Sequence, residues 1–426
     1  MTSHPSRWLP YRNGLFRHFL AASTVSLVGT NVFDIAVPLY VLQRTGSVID
    51  LSLASVALHL PHFLMAPLTG FLADHSHKRR ILLLADLGQI ALLLLLSGYV
   101  ASATPAVWPI FALIFGIKSL MLLFETISQF QMIPVLSGPE ELTSGNTWFL
   151  SLHRVIQVVG PLIGGFLMHF WGVQACIWVN ILSFAATVHF TWSFKHLDAL
   201  LRPRAHAHHE LSPRAVVHKF RTSLELIWRS PVFQPFIILM FLWNLSSFTL
   251  NSPSITYYFT VTHHFTAAQY GLIVSAFGVL GVFGFILSPP LYQKYRFEKV
   301  FMASAFLQAV VGSICLLPFG MPIWVGALYG LSRAASSALS LGTYVIRQTR
   351  VPPEHNGAIN ASLRMFFMAA APLSSFVQGW VIHHWGVGIS LWSGALCLWG
   401  VWWFSRHLSA ALRNEERPPT PLRQAS

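Results

Sequence analysis

Charge is scarce in this chain: Asp, Glu, Lys and Arg together make up 10% of its 426 residues, where a soluble domain carries about 25%. With 54% hydrophobic residues and a mean hydropathy of +0.57, there is too little polar surface to cover a water-soluble globule of this length. That excludes a cytosolic enzyme. Acidic residues are scarcer still, 14 against 27 basic ones. Cysteine is nearly absent, and Cys176, Cys315 and Cys397 sit in apolar runs without pairing or ligand spacing, so neither a disulfide framework nor a zinc knuckle is indicated. No glycine-rich phosphate loop ending in lysine occurs, which disfavours ATP-driven pumping. Nothing points to an enzyme, a cofactor or a bound metal. A cleavable signal is missing too, because residues 1–17 are polar and basic and the first apolar run is too long for a secretory h-region. The first helix is expected to be retained.

What the chain has instead is apolar runs of bilayer-spanning length, near 18–42, 50–73, 81–100, 107–135, 148–169, 173–194, 232–261, 267–291, 300–318, 322–346, 357–382 and 386–404. Twelve runs imply an all-α polytopic membrane protein. The net charge of +13 raises the question of nucleic acid, and the loops answer it. Lys118, Arg154, Arg333 and Arg364 lie inside runs, Arg44 lies in an outward loop, and every other cation falls on one side. This bias places both termini in the cytoplasm, with the lipid bilayer of the cell (inner) membrane as the partner and not nucleic acid. The longest polar segment, 195–230, divides the runs six and six. The expected organisation is an N-terminal tail (1–17), a six-helix bundle (18–194), a linker (195–230), a second bundle (231–405) and a disordered cytoplasmic tail (406–426). In the linker, Ser212-Pro213 starts an amphipathic helix with Val216, Val217, Phe220, Leu224 and Ile227 on one face and cations on the other. His206, His208 and His209 are read as solvated.

The halves carry traces of a repeat. On the first run Ser23, Ser26, Thr30 and Asp34 form a polar stripe with Thr24 and Asn31 alongside; on the seventh Asn244, Ser247, Asn251 and Ser254 form another. At a shift of 220, Asn31 meets Asn251. At a shift of 214, GFLMHFWGV (165–173) meets GWVIHHWGV (379–387). Polar side chains facing lipid are costly, so the two stripes are expected to face one aqueous cavity between the halves.

Three stretches resemble the major facilitator superfamily, the fold of twelve helices in two six-helix bundles, over essentially the whole chain. GFLADHSHKRR (70–80) is similar to the family signature between helices 2 and 3, with Gly70, Asp74, Lys78 and Arg79 in register, although His75 and His77 replace a cation and a glycine. The resemblance makes these a cytoplasmic gating element, and the equivalent segment 289–299 lacks the aspartate. VGPLIGG (159–165) is similar to the end of a motif associated with antiporters; Gly160, Pro161, Gly164 and Gly165 serve either that role or close helix packing. Phrases such as PLYVLQRTGS and VPPEHNGAINASL look like the branch holding macrolide-efflux and enterobactin-exporter proteins.

Ionisable groups within a membrane are functional by default. Six are picked out as deep: Asp34, Lys118, Glu125, Arg154, Arg333 and Arg364. In the family this resembles, helices 1, 4, 7 and 10 line the cavity, which adds Asn31, Asn244 and Asn251 to Lys118 and Arg333 as cavity candidates. Arg154 and Arg364 fit a gate salt bridge at least as well as substrate contact. Lys118 and Glu125, seven apart, are expected to have separate partners. On the second run Ser52, Ser55, His59 and His62 share a face. With a hairpin centred near Gly46, equal depth pairs Asp34 with His59 and Asn31 with His62. An Asp34–His59 pair sharing a proton, with Glu125 as the other carboxylate, is the expected proton-coupling site, against a structural hydrogen bond as the alternative. His62, the more structural of the two histidines, is a further substrate-cavity candidate.

Four deep cations against two deep anions lean toward an anionic substrate. The resulting expectation is a monomeric, proton-coupled exporter of a siderophore-like or other anionic, amphipathic metabolite, working by alternating access. A multidrug or macrolide-type pump, an uptake symporter and a lysophospholipid transporter of the same fold stay open.

Overall fold

The computed structural model describes residues 13–415 apart from 66–67, 70–77, 103–105, 128–131, 139–140, 194–224, 226–227, 252, 315–316, 318–319 and 351–355. No strand occurs among the described residues. The first helices are α1 (Gly14–Thr45), α2 (Val48–Leu64), α3 (Lys78–Val100) and α4 (Val107–Ile127). Leu142–Ser193 then runs 52 residues, far more than the roughly 20 needed to span a bilayer. It breaks at Gly172 into α5 (142–171) and α6 (173–193). After these come α7 (Phe233–Asn251), α8 (Ala267–Lys294), α9 (Phe297–Ile314) and α10 (Pro322–Arg350). Asn356–Glu415 breaks at Gly386 into α11 (356–385) and α12 (387–415).

The repeat at a shift of 214 has a backbone explanation. Gly172 (φ 71, ψ −177) and Gly386 (φ 85, ψ 166) occupy the same region of conformational space, one open only to glycine, and each reverses the chain between two spans. The α1–α2 hairpin turns on the same principle. Gly46 adopts φ 64 and its N–H returns to the Leu42 carbonyl, while Ser47 caps α2 by accepting from the Asp50 N–H at 3.2 Å.

The described residues fall into two compact units, and neither is a simple half of the chain. One holds α1–α6 together with residues 252–278 and 375–384; the other holds 210–251, 279–374 and 385–426. Within the first, Phe16, Phe19 and Leu20 pack with Leu82, Ile133, Phe149 and Phe190. Within the second, Phe236, Phe301, Leu363, Phe367 and Val401 form the core, with Leu408 and Leu412 buried in it. Those two leucines explain why α12 stays helical to Glu415, past the start of the expected tail. Beyond α7, the chain continues as a short helix, Pro253–Tyr257, and one π-turn, Tyr258–Thr262. Large apolar side chains such as Trp108, Trp171, Leu317 and Trp324 are well exposed, as lipid-facing residues of a membrane protein are.

The expected linker helix at 212–229 lies outside the described residues, except for Glu225, Trp228 and Arg229.

Candidate functional site

The first unit gathers titratable side chains along one face of α4. Helical spacing puts Lys118 and Glu125 two turns apart on that face, and each finds a different partner. Lys118 Nζ lies 2.6 Å from Asp34 Oδ1 of α1. Glu125 Oε2 lies 3.8 Å from His62 Nε2 of α2. Met121, between them on α4, turns its sulfur to Lys118 Nζ at 3.6 Å. His59 neighbours both His62 and Lys118, and His153 of α5 neighbours Glu125. A chain of six groups results, running Asp34, Lys118, His59, His62, Glu125, His153 across four helices. Two of its links are direct contacts, Asp34 with Lys118 and His62 with Glu125, and the others are electrostatic neighbours.

The expected Asp34–His59 pair is replaced by Asp34–Lys118. Equal depth in a hairpin is blind to a third helix, and α4 brings a permanent cation to the aspartate. The pair is asymmetric: the Lys118 side chain is 4% exposed and that of Asp34 39%. The pairing takes one cation and one anion out of the count of deep charges, so the excess of cations is unchanged.

Beside Glu125 the unit has a small cleft with a cavity volume of about 20 Å³. Ser23, Ser26 and Thr30 of the α1 stripe line it, with Glu125, His153 and an apolar wall of Phe124, Phe149 and Phe184. Thus the upper part of the α1 stripe turns into its own bundle, where hydroxyls facing a polar cleft escape the cost of facing lipid. Asn31 Nδ2 donates to the Leu27 carbonyl at 2.8 Å.

His153 escaped the sequence reading. The Phe149 ring lies 4.9 Å from its imidazole, and the same α5 face continues through Ile156 to Gly160 and Gly164. A signal was present: residues at steps of three and four before a helix-packing glycine share its face, and His153 is one of them. Asp86 of α3 also belongs with the deep ionisable residues and was passed over; it is fully buried.

The packing glycines are placed where their small size is needed. A Cβ on Gly160 would meet Asn31 and one on Gly164 the backbone of Val32, both of α1. Gly165 faces Gly271 of α8, whose Cα would lie 2.9 Å from a Cβ built there. Of the gate candidates, Arg79 donates to the carbonyls of Thr191 and Trp192 at 3.0 Å each, closing the end of α6. Arg154 is exposed and donates to Gln157 at 3.2 Å. Gly70 and Asp74, and the side chains of Lys78, Asn251 and Arg364, lie outside the described residues. In the second unit Asn244 donates to the Met240 carbonyl at 2.8 Å, and Arg333 sits on α10 where Gly281 of α8 approaches its Cβ. Among the described residues no group of three or more His, Cys, Asp and Glu could hold a metal ion.

The family profile described as Major Facilitator Superfamily matches residues 19–294 and 244–425. Macrolide efflux protein A of Streptococcus pyogenes is 28% identical over 162 residues, 38% of this chain and 40% of that protein, so the chain spans less than half of that relative. Enterobactin exporter EntS of Citrobacter koseri is 26% identical over 360 residues, 81% of this chain and 80% of the exporter. Among solved structures, a bacterial homologue of the iron transporter ferroportin in its inward-facing state superposes with a TM-score of 0.71 over 93% of this chain and 98% of that one, at 16% identity.

Proposed function

This chain belongs to the major facilitator superfamily, and from that premise we propose that it is a proton-coupled exporter of a small amphipathic molecule. The observation that carries the reading is the position of Glu125. It lines a cleft walled by Phe124, Phe149 and Phe184, lies 3.8 Å from the His62 imidazole and feels the charge of His153. A carboxylate so placed is accessible to substrate on one side and tied to proton acceptors on the other. A proton arriving at Glu125 breaks its attraction to His62 and changes what the cleft binds; a substrate arriving displaces the proton. That competition is the minimal requirement for exchange. The relatives support outward transport, since those named above are an efflux protein and an exporter.

Asp34 and Lys118 form the second half of the mechanism. Protonating the half-exposed aspartate leaves the buried ammonium without its partner, which is unfavourable by a few kcal/mol unless the helices rearrange. Proton binding therefore pushes α1 and α4 toward another arrangement, and the cleft they line changes with them. The protein acts as a monomer with both termini cytoplasmic.

A siderophore-like, anionic substrate is the second reading, favoured by the similarity to an enterobactin exporter over four-fifths of this chain.

Proteoliposomes carrying a pH dye and an imposed proton gradient test both. Adding the substrate on the cytoplasmic face should drain the gradient, with a macrolide for the first reading and a catecholate siderophore for the second. The Glu125→Gln variant should not respond. Gradient-independent equilibration of substrate, or uptake in place of export, would overturn proton-coupled export.

A further inference from the structure

We propose that Asp86 is a proton-binding site in the seam between α3 and α6, where its protonated carboxyl closes an acid–amide pair with Gln89. This site is separate from the cleft and does not depend on Glu125 or Asp34.

Asp86 and Gln89 are both 0% exposed, and Thr187 opposite them on α6 is 1% exposed. Three residues apart, Asp86 and Gln89 are neighbours on one helical face. Gln89 Nε2 donates to Asp86 Oδ1 at 3.3 Å and to the Ala85 carbonyl at 3.3 Å, so both amide protons have acceptors. The oxygens left over are Asp86 Oδ2 and Gln89 Oε1, and both are buried without a hydrogen-bond partner. Two orphaned acceptors on two groups already joined by one hydrogen bond have a single economical remedy. One proton on Oδ2 turns that atom into a donor for Oε1, and the second bond of an acid–amide ring forms.

The Thr187 hydroxyl also lies against the carboxyl, but its own proton is given to the Phe184 carbonyl at 2.8 Å. The step is a simple protonation: Oδ2 takes a proton from hydronium, whose O–H bond breaks to leave water.

Charged groups on the neighbouring helices are engaged elsewhere or exposed. On α4, packed against α3, Lys118 is bound to Asp34 and Glu125 to His62. On α5, His153 neighbours Glu125 and Arg154 donates to Gln157. His169 on α5 and His189 on α6 are exposed on the outer surface. On α3 itself, Arg79 is bound to the α6 carbonyls and Arg80 is exposed. An isolated carboxylate in such a seam bears the full desolvation cost that protonation removes.

The test is infrared spectroscopy on the full chain in lipid, from about pH 5 to about pH 9, a range that lies above ordinary carboxyl titration and brackets that of imidazole. At neutral pH the wild type should show a protonated-carboxyl C=O band that is missing from Asp86→Asn. In Gln89→Leu the band should move to higher frequency, because the acid has lost its amide partner. Identical carbonyl regions for wild type and Asp86→Asn at every pH would overturn the proposal. Should Asp86→Asn fail to fold, Gln89→Leu decides alone, and a carboxyl band that it does not move is equally fatal to the acid–amide pair.

Discussion

Lys118 and Asp34 form an ion pair of 2.6 Å in which the cation, not the anion, is the buried partner. Lysine can do this because its long apolar stem packs along α4 while the ammonium reaches one carboxylate. The aspartate remains accessible to water and protons, so the pair is opened from the Asp34 side.

Breaking that pair from one side should cost more than removing it. Asp34→Asn is expected to lower the thermal transition of the detergent-solubilised protein and to abolish gradient-driven transport, because a buried ammonium is left unpaired at about 3–5 kcal/mol. The double variant Asp34→Asn with Lys118→Met should recover most of the lost stability without recovering transport. Equal stability of single and double variants would show that the pair contributes nothing to the fold.

Glu125→Gln keeps the shape of the cleft and removes its titration. Substrate-induced proton flux in proteoliposomes is expected to fall at least about tenfold, the loss typical of a positioned proton-transfer group. Equilibrium binding of substrate, measured by tryptophan quenching, should change far less. His62→Ala should weaken coupling in the same direction but leave residual flux through His153.

Gly172→Ala and Gly386→Ala test the shared turn. A Cβ at either position meets no atom within 4 Å, so the penalty is conformational alone. Each substitution is expected to cost about 1–3 kcal/mol. Thermal unfolding should show similar shifts for the two and a roughly additive double variant.

Gly165→Val places a branched side chain against the Ala267 carbonyl and the Gly271 backbone. Transport in cells should fall sharply while membrane protein level, read by immunoblot, stays within about twofold, because the seam between α5 and α8 is opened without loss of a core. Retained transport would mean that this contact is dispensable.

Much of the architecture is legible along the chain because a bilayer leaves few options. Backbone groups in hydrocarbon must be satisfied within each helix, so apolar runs translate directly into spans, and the glycine of each WGV repeat marks its turn. Asn13, Gly46 and Ser47 announce the ends of α1 and α2 through local chemistry, which needs no distant partner. The separate partners of Lys118 and Glu125 follow from helical spacing.

Which side chain each of those residues meets is a different kind of fact. Hairpin depth paired Asp34 with His59, and only the approach of α4 handed the aspartate to Lys118. His153 entered the site because α5 is drawn against α1 through Gly160 and Gly164, a packing distance that no local pattern encodes. Asp86 became informative only when its second oxygen and that of Gln89 proved to be buried without partners. Periodicity and the solvent determine which face of a helix is polar; three-body contacts among helices decide what that face does, because ionic and hydrogen-bond energies depend on angstroms between segments distant in the chain.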